Sequence, residues 1–238
     1  MTEPTPGRRA KGIEAIARWL LEVRLPHPLR VAVDGPDAAG KTTLADELAG
    51  ELARRGRPVI RASADAFERP RAERYRQGCD SPDGYRLESF DHPTLVRLLL
   101  APLGPGGDLV YRTASFDLEA DTPVRAEPAT AVPDAILVVD GVFLGQADLF
   151  GRWDRRIFVT CGAEVSLARA LARDVPAMGD AAAVEARYRA RYLPAQAEYL
   201  RIDRPSETAD LVVDNDDPDA PRLRIRPESL SRRPYPRG

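Results

Sequence analysis

Gly35-Pro36-Asp37-Ala38-Ala39-Gly40-Lys41-Thr42 is the stretch on which the fold is decided. It reads Gly-x-x-x-x-Gly-Lys-Thr, the pattern of a loop wrapped round phosphate. Ahead of it, Leu29-Arg30-Val31-Ala32-Val33-Asp34 has the apolar character of a short buried strand. Behind it, Leu44, Ala45, Leu48, Ala49, Leu52 and Ala53 recur at helical spacing, and Gly56 is placed to cap that helix. The glycines allow the loop N–H groups to turn inward on an anion, and the helix start adds its positive end. The expected nucleotide-binding set is therefore Gly35, Asp37, Ala38, Ala39, Gly40, Lys41, Thr42 and Thr43. Lys41 is expected to reach the β- and γ-phosphates, and Thr42 to offer its hydroxyl to Mg²⁺. Of 35 basic residues only Lys11 and Lys41 are lysine, so a lysine stands at the one position where a slim ammonium is required.

Outward from the loop, strand-like runs alternate with helical ones. Residues 9–23 carry Ile13, Ile16, Ala17, Leu20 and Leu21 on one helical face, and Pro26 and Pro28 end that helix. Pro58 to Ser63, Ile136 to Asp140, Arg156 to Thr160 and Leu211 to Val213 are further strand candidates, with helical patterns at Ala163 to Asp174 and Ala181 to Leu200. Alternation of this kind predicts an α/β three-layer sandwich of the phosphate-loop nucleotide-binding type, with a five-stranded parallel sheet. A single domain is expected over 1–220, interrupted by a long insertion, 66–134, rich in Arg, Pro, Gly and Asp. An insertion of that length in a compact sheet is usually functional, and it is assigned to the acceptor. Within it a short helix is expected near Thr94 to Leu100, and Val110 to Asp117 as an antiparallel ribbon. The basic stretch 221–238 is expected to be a flexible tail.

The bulk properties exclude several classes. A net charge of −2 gives no global attraction to nucleic acid, which is not expected as a partner. No apolar run approaches the roughly 20 residues of a membrane span, and no signal-type segment opens the chain. Cys79 and Cys161 lie far apart and outside metal-ligand spacing, so they read as reduced thiols and the expected location is the cytoplasm. Self-association is left open.

Three acids stand at strand ends, where a doubly wound sheet opens its crevice. Asp140 ends the run Ile136 to Val139 and is expected to serve Mg²⁺ with Thr42. Asp65, in Ser63-Ala64-Asp65-Ala66-Phe67, is the candidate base for an acceptor hydroxyl, with Lys41 the other catalytic residue. Asp34 immediately precedes the loop and reads as its cap. His92, between Asp91 and Pro93, reads as a turn residue rather than a catalyst.

These motifs occur in one order: the phosphate loop, Ser-x-Asp-x-Phe, Phe90-Asp91-His92-Pro93, the strand ending Asp140-Gly141, and Leu167-Ala168-Arg169-Ala170-Leu171-Ala172-Arg173-Asp174. In that order the chain resembles the uridine kinases, a P-loop nucleoside kinase family, in their actinobacterial-type branch, from about Leu29 to Asn215. The resemblance implies ATP and Mg²⁺, a small-molecule acceptor, and phosphorylation of a ribonucleoside 5′-hydroxyl. It assigns the base to Asp65 and the ribose hydroxyls to Asp91, with Phe67 and Tyr111 beside the acceptor. Arg169 and Arg173 would contact phosphates from a lid region, 169–191.

Departures bear on the acceptor. The Tyr-x-x-x-x-His ribbon of that family reads Tyr111-Arg112-Thr113-Ala114-Ser115-Phe116 here, with no histidine. Glu68 stands where an aromatic or His is common, and Val175-Pro176-Ala177-Met178-Gly179-Asp180 replaces a basic lid sequence. Arg187, Arg189 and Arg191 are candidate substitutes, although a spacing of two cannot put all three on one helix face. The alternatives are a kinase of another hydroxylated metabolite, as in phosphoribulokinase and pantothenate kinase relatives, or a non-catalytic ATP-binding regulator. An Asn-Lys-x-Asp guanine-reading element is absent, which argues against a GTPase switch.

Overall fold

In the computed structural model, which describes residues 7–226, the central strands present odd and even residues to opposite layers. Val31, Val33, Ile136, Val138, Ile157, Val159, Leu211 and Val213 pack on one side against Ile16, Leu20, Leu44 and Leu48. Ala32, Leu137, Val139, Phe158 and Val212 pack on the other against Phe67, Phe143, Leu99 and Tyr199. A sheet covered on both faces favours apolar residues at successive positions, which is why Val31 to Val33 and Ile136 to Val139 read as continuous runs.

The strands are β1 (Leu29–Asp34), β2 (Val59–Ser63), β3 (Ile136–Gly141), β4 (Arg155–Thr160), β5 (Leu211–Asp214) and β6 (Arg222–Ile225). Their order is β6-β5-β4-β1-β3-β2. β1 pairs in parallel with both β3 and β4, β2 with β3, and β4 with β5, while β6 runs antiparallel to β5. The sheet thus has six strands and not five. The sixth comes from the stretch expected to be a tail: Leu223 and Ile225 reach the apolar layer beneath while Arg222 and Arg224 face outward. Residues 227–238 of that expected tail lie outside the described residues.

The first helix is α1 (Arg8–Leu21), and α2 (Lys41–Arg54) starts directly from the Gly-rich loop. α2 is followed by Gly56 at φ 82°, whose N–H returns to the Ala53 carbonyl at 2.9 Å. The insertion holds α3 (Pro82–Glu88), started by Ser81 through a bond from Gly84 N–H at 3.0 Å. No apolar period announced this helix. A helical turn does follow at His92–Leu95, continuing as a π-turn over Val96–Leu100. Val110 to Asp117 does not fold on itself. Val110–Tyr111 pairs with Ala129–Thr130, and Phe116–Asp117 with Thr122–Pro123, giving two small ribbons.

The stretch expected to be a lid, 169–191, is helical along most of its length. α4 (Ala163–Met178) runs through Pro176 and ends on Gly179 at φ 79°. α5 (Ala181–Arg187) passes through a π-turn, Tyr188–Tyr192, into α6 (Leu193–Asp203). No described helix is long and apolar enough to cross a membrane.

Candidate active site

The loop from β1 to α2 is shaped by contacts at its glycines. A Cβ on Gly35 would stand 2.2 Å from the Val159 carbonyl oxygen of β4. Gly40 sits at φ 92°, and its Cβ would meet Asn215 Nδ2 at 2.6 Å. That same amide donates to the Ala39 carbonyl at 2.7 Å, so the end of β5 holds the loop. Asp34 is a cap, as its position implied. Its Oδ1 accepts from Gly35 N–H at 2.8 Å, and its Oδ2 accepts from the Tyr199 hydroxyl. Tyr199 in turn accepts from Gly145 N–H at 2.9 Å, tying α6 to the strand ends. Burial pushes the Asp34 carboxyl above its ordinary value; the bonds from Tyr199 and Gly35 and the charge of Lys41 oppose that.

Lys41 is buried and donates to the Pro36 carbonyl at 2.7 Å. Its ammonium is thereby folded over the loop that would cradle phosphate. Thr42 Oγ1 donates to Asp140 Oδ2 at 2.5 Å, which brings together the two residues expected at the metal. Asp140 is 2% exposed, and its other oxygen accepts from Arg61 at 2.8 Å. Among the described residues no group of three or more His, Cys, Asp or Glu could hold a metal. This donor set, one carboxylate and one hydroxyl, fits Mg²⁺, which keeps waters and takes remaining ligands from phosphate oxygens. Thr43 is exposed on the first turn of α2.

Asp65 stands at the end of β2, in the turn Ala64–Phe67. Part of its surface is open to solvent, yet desolvation by the protein packed around it pushes its carboxyl above the ordinary value. Lys41 opposes the shift, Asp140 and Asp37 add to it, and Arg173 opposes it again. The phosphate loop, the metal-side acid and the candidate base therefore share one electrostatic neighbourhood, as the strand-end rule requires. Asp65 also lines an open depression of about 420 Å³ with Ala66, Ala114, Phe116, Asp117, Leu118, Glu119 and Val124.

The other expected acceptor residues are not on that lining. Phe67 is 1% exposed and packs in the core with Tyr85, Phe90 and Phe143, so it supports the crevice from beneath and does not face it. Asp91 Oδ1 accepts from Thr94 N–H at 3.1 Å as a helix cap. Tyr111 packs half-buried against the core from the first ribbon. His92 is a structural residue: its Nδ1 lies 2.8 Å from Asp148 and its ring stacks on Phe90.

The arginines divide. Arg169 donates to the carbonyls of Asn215 and Asp216 at 2.9 and 3.0 Å, beside the loop's outer rim. Arg173 pairs with Asp174 at 2.6 Å and donates to the Tyr188 hydroxyl at 2.9 Å, while its charge still acts on Asp65. Of the proposed substitutes, Arg189 pairs with Glu185 at 2.8 Å on the surface. Arg191 is 2% exposed and turns into the insertion, donating to the Cys79 and Ser81 carbonyls at 3.2 Å. It is an anchor and not a phosphate ligand. Glu68, 10% exposed on its side chain, pairs with Arg74 at 2.9 Å; burial nevertheless pushes it up to about 8.

Several site residues carry no local sequence signal. Tyr199, Gln196, Tyr85 and Arg61 reach the loop or Asp140 only through tertiary packing. Asn215 could have been found, since it follows the last parallel strand and strand ends face the crevice.

A mostly parallel sheet with this loop between its central strand and the following helix defines a P-loop α/β protein built around a nucleoside triphosphate. The model of the phosphoribulokinase / uridine kinase family matches residues 31–217, and the chain belongs to that family. It is 29% identical over 161 residues to uridine-cytidine kinase B of Dictyostelium discoideum, a match covering 64% of this chain and 61% of that relative. Among solved structures it resembles a possible uridine kinase from Bacillus stearothermophilus, with a TM-score of 0.66 and 22% identity over 85% of this chain and 97% of that one. It also resembles D-glycerate 3-kinase from Cryptococcus neoformans, with a TM-score of 0.55 and 13% identity over 80% and 88% of the two chains. Both likenesses concern the fold.

Proposed function

We propose that this protein is an ATP- and Mg²⁺-dependent kinase that phosphorylates the 5′-hydroxyl of a nucleoside, with uridine and cytidine the first acceptors to test. The reading rests on one observation above the others. Lys41, the Thr42–Asp140 pair and Asp65 stand together where β1, β3 and β2 end. Phosphoryl transfer needs positive charge on the phosphates and a proton acceptor beside the incoming hydroxyl, and these side chains supply both.

In the proposed reaction the loop N–H groups and Lys41 hold the β- and γ-phosphates. Asp65 takes the proton of the acceptor hydroxyl as its oxygen bonds to the γ-phosphorus. The bond from that phosphorus to the bridging β,γ-oxygen breaks, and ADP leaves. Bound Mg²⁺ would neutralise charge on the phosphate oxygens, held by Thr42 and Asp140. Arg173 would reach the transferring group from α4 after exchanging its bond to Asp174.

A second reading, a kinase of another small hydroxylated metabolite, is favoured by the ribbon that lacks histidine and by Glu68 beside the acceptor region. The test is ADP release from Mg·ATP, with mass detection of product, across uridine, cytidine and a panel of hydroxylated metabolites. Uridine or cytidine monophosphate, lost in Lys41→Ala, is the expected result. Phosphorylation of a different acceptor alone would remove the nucleoside and leave the mechanism. Nucleotide binding without transfer to any acceptor would overturn the kinase reading in favour of a regulator.

A further inference from the structure

Asp37 is a loop residue on which three distant helices converge. Its Oδ2 accepts from the Tyr85 hydroxyl of α3 at 3.0 Å and from Gln196 Nε2 of α6 at 2.6 Å. Its carbonyl accepts from Ser166 Oγ of α4 at 2.6 Å. The next residue, Ala38, is held at φ 54°, a left-handed backbone that a non-glycine residue adopts only under constraint.

Tyr85 is itself immobilised. It is 8% exposed, with the rings of Tyr192 at 4.7 Å and Phe143 at 5.2 Å and the Arg191 guanidinium at 5.3 Å. Arg191 binds the carbonyls that lead into α3. A continuous chain of contacts therefore runs from the acceptor insertion through Tyr85 and Asp37 into the loop.

A carboxylate in a loop whose N–H groups are built for anions is a rival for those groups and for Lys41. Two donors, both on elements outside the loop, occupy one Asp37 oxygen. Any shift of the loop on binding phosphate would act on α3 and α6 through this side chain.

We propose that Asp37 is a positioning residue through which nucleotide binding at the loop is transmitted to the insertion that takes the acceptor. The proposal rests on the nucleotide-binding reading above. Coupling of this kind is reciprocal: whatever nucleotide does to the insertion, an acceptor there does to nucleotide affinity.

The experiment is hydrogen exchange on the full chain, with and without the Mg²⁺ complex of a non-hydrolysable ATP analogue, for wild type and Tyr85→Phe. In wild type the analogue slows exchange in the first turns of α2 and also over Pro82–Glu88 and Leu193–Asp203. In Tyr85→Phe, which keeps the ring, slowing in α2 persists while slowing over Pro82–Glu88 falls about two- to tenfold, the equilibrium worth of one net hydrogen bond. Gln196→Leu serves as the second variant, with the loss expected over Leu193–Asp203. Equal slowing over Pro82–Glu88 in wild type and Tyr85→Phe overturns the proposal. So does a wild type in which only α2 responds. Absence of any response, α2 included, overturns the nucleotide-binding reading itself.

Discussion

Tyr199→Phe removes one oxygen and leaves the ring, which packs edge-on against Phe143 at 5.2 Å, in place. Two groups lose a partner. Buried Asp34 loses a donor, and Gly145 N–H loses the acceptor 2.9 Å away. A hydrogen bond to a charged group is worth about 1.5–3 kcal/mol, and a buried donor left unpaired costs about 1–3 kcal/mol. A combined loss of about 3 kcal/mol corresponds to roughly 6–12 °C in Tm for a chain of this size. The pH dependence separates this account from a generic packing defect. Asp34 has a folded pKa raised above its ordinary value of 3.8, so its ionisation weakens the fold. That cost is absent below the unfolded pKa and develops as pH rises through the folded one. Without Tyr199 the folded pKa moves higher still, so the variant's deficit must be larger at pH 8 than at pH 5. Thermal denaturation followed by circular dichroism at both pH values measures it. A Tm change below about 3 °C at pH 8, or a deficit as large at pH 5, would refute the reasoning.

Other outcomes follow from the same geometry. Asp65→Asn is expected to lower kcat by about 10²–10⁴-fold with little change in nucleotide affinity; since a base must be ionised to act and the Asp65 pKa is raised, wild-type activity is expected to fall on the acid side at a pH above 3.8. Near-wild-type turnover of the variant would remove Asp65 from the mechanism. Gly40→Ala places a Cβ 2.6 Å from Asn215 Nδ2 at φ 92°, so calorimetric titration should find nucleotide binding weakened about 5- to 150-fold, the effect of roughly 1–3 kcal/mol of strain. Glu68 has a folded pKa near 8, above its unfolded value of 4.5, so it costs stability increasingly as pH rises between those values. Glu68→Gln should flatten that part of the stability–pH curve, as read from urea denaturation at pH 5 and pH 9.

The parts of the fold that were legible in the sequence are those whose signal is local. Leu29–Asp34 and Ile136–Gly141 are buried on both faces, and their apolar cores, Val31 to Val33 and Ile136 to Val139, announced them. The loop was legible because its chemistry demands glycine, lysine and threonine at fixed spacing. The sixth strand was hidden because an edge strand buries only Leu223 and Ile225 and alternates them with arginine. Helix Pro82–Glu88 was hidden because it is held by Tyr85 and by Arg191 from a distant helix, without an apolar stripe of its own. Among the site residues, Lys41, Thr42, Asp140 and Asp65 came together as expected, since strand ends share a crevice. Phe67 illustrates the limit: motif position placed it beside the acceptor, whereas side-chain direction in its turn sends it into the core. Arg191 was one of three candidate lid cations, and spacing alone does not register the π-turn that carries it into the insertion.

The bond from Asn215 to the Ala39 carbonyl spans 176 positions of the chain. Asn215 packs against Gly40 so closely that no Cβ fits between them, and it is itself held by Arg169 through its carbonyl. During synthesis, the segment from Leu29 to Arg54 can leave the ribosome long before its closing partner exists. The loop is then an unfinished cradle, and competence for nucleotide arrives late, when the last parallel strand docks beside β4. Nascent chains arrested before Asn215 should therefore fail to be retained on an immobilised nucleotide, while those released after Ile225 should be held.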